Sequence, residues 1–441
     1  MSELALTGGQ PVRVAPFPAY RVIDSHEVEA VREVMETGIL SRYLGAWHKD
    51  FFGGPQIQAF EKEWADALGS RHAIAVNSCT SGLYAAVGAA GAGPADEVIV
   101  SPFSMSASAT APIIFNAVPV FADIDAKTYC LDPESIREKI TPRTKAIIVV
   151  HIFGQAADMD PIMDLAREHG LVVIEDCAQA PFARYKGKPV GTLGHIGVFS
   201  LNYHKHIHTG EGGVIVTNDD NLCDRMQLIR NHAEAVLGRR DVDSLVNLVG
   251  FNFRLGEIEA AIGRQQLAKV GRLIEERQAN VQYLEQQLAG LPGIKMPHVS
   301  SDNTHVYYLH VLDYDEAEAG FSRQLFVEAI KAELPVTELR EGEGPLMNFG
   351  YTKPLYMLPM FQQKTAFGDK NCPFECPHYE GQADYNEGLC PVTEESHNRV
   401  ITHEFIRPQM SKKDLDDVAS AFFKVMENRD KLRNQDASST A

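Results

Sequence analysis

At 441 residues the chain is long enough to bury a large core in two or three domains and too long for a small binding module, and its 44% apolar and 23% charged residues fit a soluble globular protein. A net charge of −18, from 59 acidic against 41 basic residues with no concentrated Lys/Arg block, argues against nucleic-acid and anionic-membrane partners. No apolar run reaches membrane-spanning length, the start "MSELALTGGQPVRV" lacks a secretory pattern, and seven scattered cysteines read as free thiols, so a cytoplasmic location is expected.

Between about residues 72 and 219 short β-branched runs alternate with helix-like stretches. In chain order the expected strands are "HAIAVNS", "EVIVSPFS", "VPVFADID", "KAIIVVHIFG", "LVVIEDCA", "IGVFSLN" and "GGVIVTN". Several are apolar on successive residues, as strands covered on both faces should be. Of the segments between them, "DMDPIMDLAREHG" reads as a helix capped by Asp160 and beginning at Pro161. The strand, helix, strand order predicts an α/β fold with a mostly parallel seven-stranded sheet flanked by helices, whose ligands gather at the carboxyl ends of the strands.

Beyond residue 255 the texture changes to long amphipathic stretches, with Ile258, Ile262, Leu267, Val270 and Ile274 near helical spacing. The expected division is a large domain over 1–260, including an N-terminal arm, and a smaller C-terminal α/β domain over 261–441. Residues 340–400, rich in Gly, Pro, Cys, His and aromatics, read as an irregular insertion that shapes a substrate pocket or a dimer surface.

Three stretches at strand ends could carry chemistry. "VNSCTSGLYAAVGAAG" places Ser78, Thr80 and Ser81, with the backbone N–H groups of Cys79 and Thr80, at a helix N-terminus, which suits either a phosphate or simple capping. "VVIEDCAQA" ends a strand on Glu175, Asp176 and Gln179, where a carboxylate can hold a proton on a heterocyclic nitrogen, bind a metal or cap a helix. "NYHKHIHTGEGG" would, if extended, set His204, His206 and His208 on one face and Lys205 on the other. No nearby carboxylate or cysteine completes a zinc site there, and GEGG lacks the Gly-Lys-Ser/Thr of a P-loop. Lys205 is therefore the expected nucleophile, and amine, phosphate-binding helix start and Asp together describe a pyridoxal 5′-phosphate site. The histidines are open to three readings: a source of positive potential beside the lysine, substrate contacts, or structure. Cys372, Cys376, His378 and Cys390 are a possible but unfavoured zinc set, and no metal is expected.

In order and spacing, "GGPQIQAFEKEWADALG", "HAIAVNSCTSGL", "DEVIVSPFSMSASATAPI", "VPVFADID", "VVIEDCAQA", "GTLGHIGVFSLNYHKHIHTGEGGVIVTND" and "GFNFRLGEIEAAIGRQQL" resemble the DegT/StrS-type sugar aminotransferases, a branch of fold-type I pyridoxal-phosphate enzymes, over roughly residues 50 to 270. The resemblance implies that Lys205 holds the cofactor as a Schiff base and moves the proton between the amino donor and the cofactor. It implies that Asp176 pairs with the pyridine nitrogen, that Gln179 lies beside the ring, and that Cys79, Thr80 and Ser200 hold the phosphate. It further implies that Met105 packs on the ring where relatives carry an aromatic, and that Asn252 reaches the phosphate of the neighbouring subunit in a homodimer. Cys79 departs from the glycine usual at its position. The implied activity moves an amino group from an amino acid, foremost L-glutamate, to a keto sugar, nucleotide-linked or not, or a keto cyclitol, as in polysaccharide or antibiotic sugar biosynthesis. The alternatives are a sugar dehydratase of the same family, in which a histidine replaces the lysine, and a non-catalytic metal-binding or regulatory protein on this fold.

Overall fold

The structure, a computed structural model, describes residues 3–239 and 242–439. All seven expected strands form: β1 (His72–Val76), β2 (Glu97–Val100), β3 (Val118–Phe121), β4 (Thr144–Val150), β5 (Val172–Asp176), β6 (Ile196–Ser200) and β7 (Gly213–Thr217). They hydrogen-bond in the order β1-β7-β6-β5-β4-β2-β3. Only β7 runs antiparallel, pairing Val76 with Gly213 on one side and Ser200 with Gly213 on the other; the remaining pairs are parallel. The continuous apolar runs follow from burial on both faces. Val149, Val173 and Phe199 point into one core with Phe60 and Trp64, and Ile148, Ile174 and Val198 into the other. Each such aliphatic side chain contributes roughly 2 kcal/mol by leaving water.

Small residues let the first helix lie flush on the sheet. Helix Cys79–Ala89 carries Gly82, where a Cβ would stand 2.6 Å from Val198, and Gly88, where it would stand 2.5 Å from Phe115. The helix expected to begin at Pro161 starts instead at Met159, with Asp158 at its cap position. Asp160 lies in the first turn, where the helix dipole favours a carboxylate, and pairs with Lys186 at 2.6 Å.

A second, antiparallel sheet contains β8 (Ile294–Lys295), β9 (His310–Tyr314), β10 (Met347–Phe349) and β11 (Val400–His403), in the order β8-β9-β11-β10. Helices Arg323–Glu333 and Lys412–Glu427 cover it around Tyr314, Phe326 and Phe422. The 32-residue helix Glu257–Leu288 joins the two sheets. The boundary expected at 260/261 falls in its first turn. Its N-terminal part buries Ala260, Ala261 and Gly263, the last with room for no Cβ beside Phe60, and its C-terminal part buries Val281, Leu284 and Leu288 in the small-sheet core. Of the five positions read as its apolar stripe, Val270 and Ile274 are buried and the other three are half-buried.

Two segments cross between these cores. The N-terminal arm lies on the helices that cover the small sheet: Ala5 and Val12 donate backbone N–H groups to Glu333, Arg13 pairs with Asp414 at 2.5 Å, and Phe17 meets Phe405 at a tilt with ring centroids 5.2 Å apart. The irregular insertion, conversely, is fastened to the large sheet. Tyr356, Phe361 and Tyr385 surround Phe121 with ring centroids 5.3–5.6 Å away, Tyr385 Oη donates to the Pro119 carbonyl at 2.8 Å, and Tyr379 Oη donates to Glu97 at 2.9 Å.

Arg230 is fully buried and donates to Glu61 at 2.5 Å and to the Ala75 carbonyl at 3.1 Å, anchoring β1 to helix Pro55–Leu68. Arg230→Met strands the Glu61 carboxylate and is expected to cost about 3 kcal/mol, read as a lowered urea midpoint; a loss under about 1 kcal/mol contradicts this role.

Candidate active site

A cavity of about 310 Å³ opens at the carboxyl ends of the parallel strands. Its walls include Ser78, Cys79 and Thr80 after β1, Ser104 and Met105 after β2, Asp176 at the end of β5 and Gln179 after it, Ser200 at the end of β6 and His204 and Lys205 after it, and Tyr308 and Tyr351 from outside the large sheet. Seven of the eight residues expected at the site thus converge, across more than a hundred positions of sequence.

The hydroxyl end is a helix start. Ser78 caps helix Cys79–Ala89 by accepting from Ser81 N at 3.0 Å, and Ser81 donates its hydroxyl to Asn77 at 2.7 Å. The N–H groups of Cys79 and Thr80 precede the first intrahelical bond, from Gly82 to Ser78, and like all helix-start donors have no partner within the helix. The chain packs tightly behind them: a Cβ on Gly213 would stand 2.7 Å from Cys79 N. Capping and an anion site therefore coexist, since the Ser78 side chain satisfies Ser81 and leaves two donors at the cavity wall. Burial, then the nearby Asp176 charge, pushes the Cys79 thiol well above its usual range, so it lines the wall as a neutral group. Met105, an alternative core residue by sequence, is 60% exposed at the cavity mouth.

At the opposite end Asp176 accepts from Ser108 Oγ at 2.8 Å and from Ala178 N at 3.1 Å. It is 5% exposed, and among the described residues it makes no ion pair. Its neighbour Glu175 points the other way, into the protein. There it receives His151 Nε2 at 2.8 Å and the backbone N–H groups of Gly191, Leu193 and Gly194 at 2.6–2.8 Å. Among the described residues His151, Glu175 and Cys177 form a group of potential metal donors within 4.8 Å of one another. The Glu175 oxygens and His151 Nδ1, which accepts from Ala157 N, are already engaged, so the group is a structural knot.

Lys205 is carried by a series of turns, not by the extended segment considered from sequence, and its own N–H closes on the Asn202 carbonyl at 2.9 Å. Lys205 Nζ stands 4.2 Å from the centre of the Tyr308 ring, a cation–π contact, and among the described residues it has no carboxylate partner. The segment is held from both sides: Tyr20 donates its hydroxyl to the His206 carbonyl at 2.5 Å, and the His206 ring bonds the Val306 carbonyl at 2.8 Å.

The three histidines have separate fates. His206 is buried against Val306, His208 Nδ1 accepts from Gly210 N, and His204 lies in the cavity wall with its ring 3.7 Å from that of Tyr203. Burial lowers the pKa of all three. They are neutral near pH 7 and supply no positive potential to Lys205, and their dispersal does not form the shared face a zinc site needs.

Asn252 does not line the cavity of its own chain. It is exposed, with Oδ1 accepting from Arg254 at 2.8 Å and its backbone bridged to Asn231. In the insertion, Cys390 is buried against the large-sheet core, while Cys372 and Cys376 lie beside each other nearer the surface. Sequence reasoning missed Tyr308 and Tyr351. Tyr351 accepts from Gln179 Nε2 at 2.8 Å, which with the Gln179 Oε1 bond to Phe153 N fixes that amide on both sides. Nothing in the run "MNFGYTKPLY" singles Tyr351 out; only the folded insertion brings it to Gln179.

The profile of the DegT/DnrJ/EryC1/StrS aminotransferase family matches residues 22–374. The chain belongs to this aminotransferase family. It is 41% identical over 295 residues to the GDP-perosamine synthase of Caulobacter vibrioides, covering 67% of this chain and 76% of that one. It is 32% identical over 440 residues to the L-glutamine:2-deoxy-scyllo-inosose aminotransferase of Streptomyces kanamyceticus, covering 97% of this chain and 98% of the relative. Its fold overlays an aminotransferase of Psychrobacter cryohalolentis with a TM-score of 0.78 at 29% identity, covering 94% of this chain and 99% of the other. Among the described residues no helix is long and apolar enough to cross a membrane.

The buried histidines predict acid lability. His305, close to this wall, has its pKa lowered to about 3 by burial and then by His310, and burial lowers His206 well below its usual range. Above about pH 6.5 folded and unfolded forms are both neutral, and below it only the unfolded chain takes up the protons, so stability falls as pH falls from about 6.5 toward 3. Each such histidine steepens the loss by about 1.4 kcal/mol per pH unit. Melting temperature measured from pH 7 to pH 4.5 should drop, with a shallower slope for His305→Gln; an unchanged slope contradicts the assignment.

Proposed function

We propose that this aminotransferase uses pyridoxal 5′-phosphate to move an amino group from glutamate or glutamine to the carbonyl of a keto sugar or keto cyclitol. The observation that carries the reading is a single cavity holding a buried carboxylate, Asp176, and an amine, Lys205, neither with an ionic partner among the described residues. An unpaired buried carboxylate is costly unless a cation joins it, and a protonated pyridine nitrogen is such a cation. The donors of Cys79 and Thr80 and the hydroxyls of Thr80 and Ser200 fit a phosphate at the helix start. When bound, the cofactor supplies an electron-withdrawing ring that acidifies the donor's Cα–H.

The protein's own residues then have defined work. Asp176, oriented by Ser108 and Ala178 N, holds the ring nitrogen protonated. Gln179, pinned by Phe153 and Tyr351, places its amide beside the ring. Lys205 takes the proton from the donor's Cα and returns it during transfer, and the Tyr308 face keeps its ammonium form near the cavity. Met105 packs at the mouth. The donor is released as its keto acid before the acceptor binds, so ping-pong kinetics are expected. The two curated relatives, one named for a nucleotide-linked sugar and one for a cyclitol, support this acceptor range. Against the dehydratase reading, the side chain over Tyr308 is that of Lys205, while the His206 ring is turned to Val306.

Exposed apolar side chains, among them Leu44 and Trp47 in one segment and Leu245, Val246 and Val249 in another, are ones a second copy would cover. In that homodimer Asn252 serves the partner's phosphate site, as its exposure outside its own cavity allows.

The test is the donor half reaction. Protein reconstituted with pyridoxal phosphate should lose its visible absorbance on adding glutamate or glutamine, and Lys205→Ala should slow this change by at least about a thousandfold. A variant that converts at the wild-type rate removes Lys205 from the chemistry.

A further inference from the structure

Beyond the His204–Tyr308–Tyr351 wall lies a second cavity of about 330 Å³, which shares those three residues with the first. Adjoining the first cavity, it offers space for whatever receives the amino group. Its lining is mixed, with Asn348, Thr352 and Thr402 and the charged Arg340, Glu343 and Glu404 alongside Leu309, Pro345 and Leu346. Arg340 is clamped between the two carboxylates. Its Nη1 and Nη2 reach Glu404 at 3.0 and 3.2 Å, and its Nε reaches Glu343 at 2.5 Å.

The other guanidiniums nearby are outside the lining and already engaged. Arg407 pairs with Glu404 and lies over the Tyr20 ring, and Arg277 donates to the carbonyls of Tyr307 and Tyr308. His204 and His403, which also border the cavity, are kept neutral by burial. Burial pushes Glu404 upward against the pull of Arg340 and Arg277. Charged or protonated, it leaves the lining side chains themselves with a sum of minus one or zero, while Arg407, outside the lining, is already paired with Glu404, and Lys205 is committed to the chemistry.

Resting on the aminotransferase reading above, we propose that this compartment is the acceptor subsite and that it takes an uncharged, polyhydroxylated keto ring, with Glu343 and Glu404 excluding nucleotide-linked acceptors. A diphosphate needs cations that are free to bind it, commonly arginine forks. Here the Arg340 fork is already filled. A ring hydroxyl, which both donates and accepts, matches the alternating carboxylate, guanidinium and amide instead. The volume of about 330 Å³ gives room for one hydroxylated ring.

The experiment uses the full-length reconstituted enzyme, converted with glutamine to its pyridoxamine form and freed of excess donor. Unlinked keto cyclitols and keto hexoses are then compared with a nucleoside-diphosphate 4-keto sugar, reading the loss of pyridoxamine absorbance. Return of the visible absorbance with unlinked rings alone is expected. A nucleotide-linked acceptor that works as well or better overturns the proposal, as does a pyridoxamine form that no unlinked ring discharges. Failure to reach the pyridoxamine form would instead defeat the aminotransferase reading itself. Glu343→Gln gives a readout apart from turnover. Calorimetry should show uridine diphosphate binding several-fold more tightly to this variant than to wild type, because Arg340 is partly released. Equal binding removes Glu343 from the selection, and tight binding to wild type overturns the exclusion of diphosphates.

Discussion

The Glu175 carboxylate, sealed beneath the site, is the interaction on which the rest depends. It gathers the His151 ring from the end of β4 and three backbone N–H groups from the 191–194 turn that leads into β6. A buried charge is tolerated only when its lone pairs are filled, and four donors fill these. The knot has one consequence for register: with Glu175 committed inward, strand alternation sends Asp176 outward into the cavity. The turn itself has no slack, since a Cβ on Gly197 would stand 2.3 Å from the Gly191 carbonyl oxygen. Two adjacent carboxylates thus face opposite ways at one strand end, Glu175 into a sealed interior and Asp176 into the cavity.

Around that fixed point the site is closed by parts from far along the chain. The long helix Glu257–Leu288 bridges the two sheets. Each of the crossing segments then touches the site: the N-terminal arm through Tyr20 on the His206 carbonyl, and the insertion through Tyr351 on Gln179. Arg277, from the bridging helix, holds the backbone of Tyr308, the residue under Lys205. A shift of the small sheet relative to the large one would therefore be felt at the lysine by three routes.

The large sheet was legible in the sequence because strands covered on both faces leave uninterrupted apolar runs, and all seven runs became strands. Asp176, Lys205, Ser200 and the Ser78–Thr80 helix start were legible for a related reason, as each lies where a predicted strand ends. What the sequence did not disclose depends on distant contacts. The helix near residue 160 starts ahead of Pro161 because proline is favoured early in a helix but does not define its first residue, and here it stands third. The histidines of "NYHKHIHTGEGG" suggested a cluster, yet turns, not an extended strand, send His206 to Val306 and His208 to Gly210. Tyr308, Tyr351 and Arg340 carry no local signature, since they reach the cavity walls only once the second sheet and the insertion fold back over the strand ends.

The central claim is that one amine in the chain, Lys205, forms the bond to the cofactor. Borohydride reduction of the protein reconstituted with pyridoxal phosphate, followed by peptide mass mapping, tests it most directly. The account predicts a stable phosphopyridoxyl adduct on the peptide containing residues 202–213, located at Lys205. An adduct on a different lysine, or none on a protein that has bound the cofactor, would contradict it.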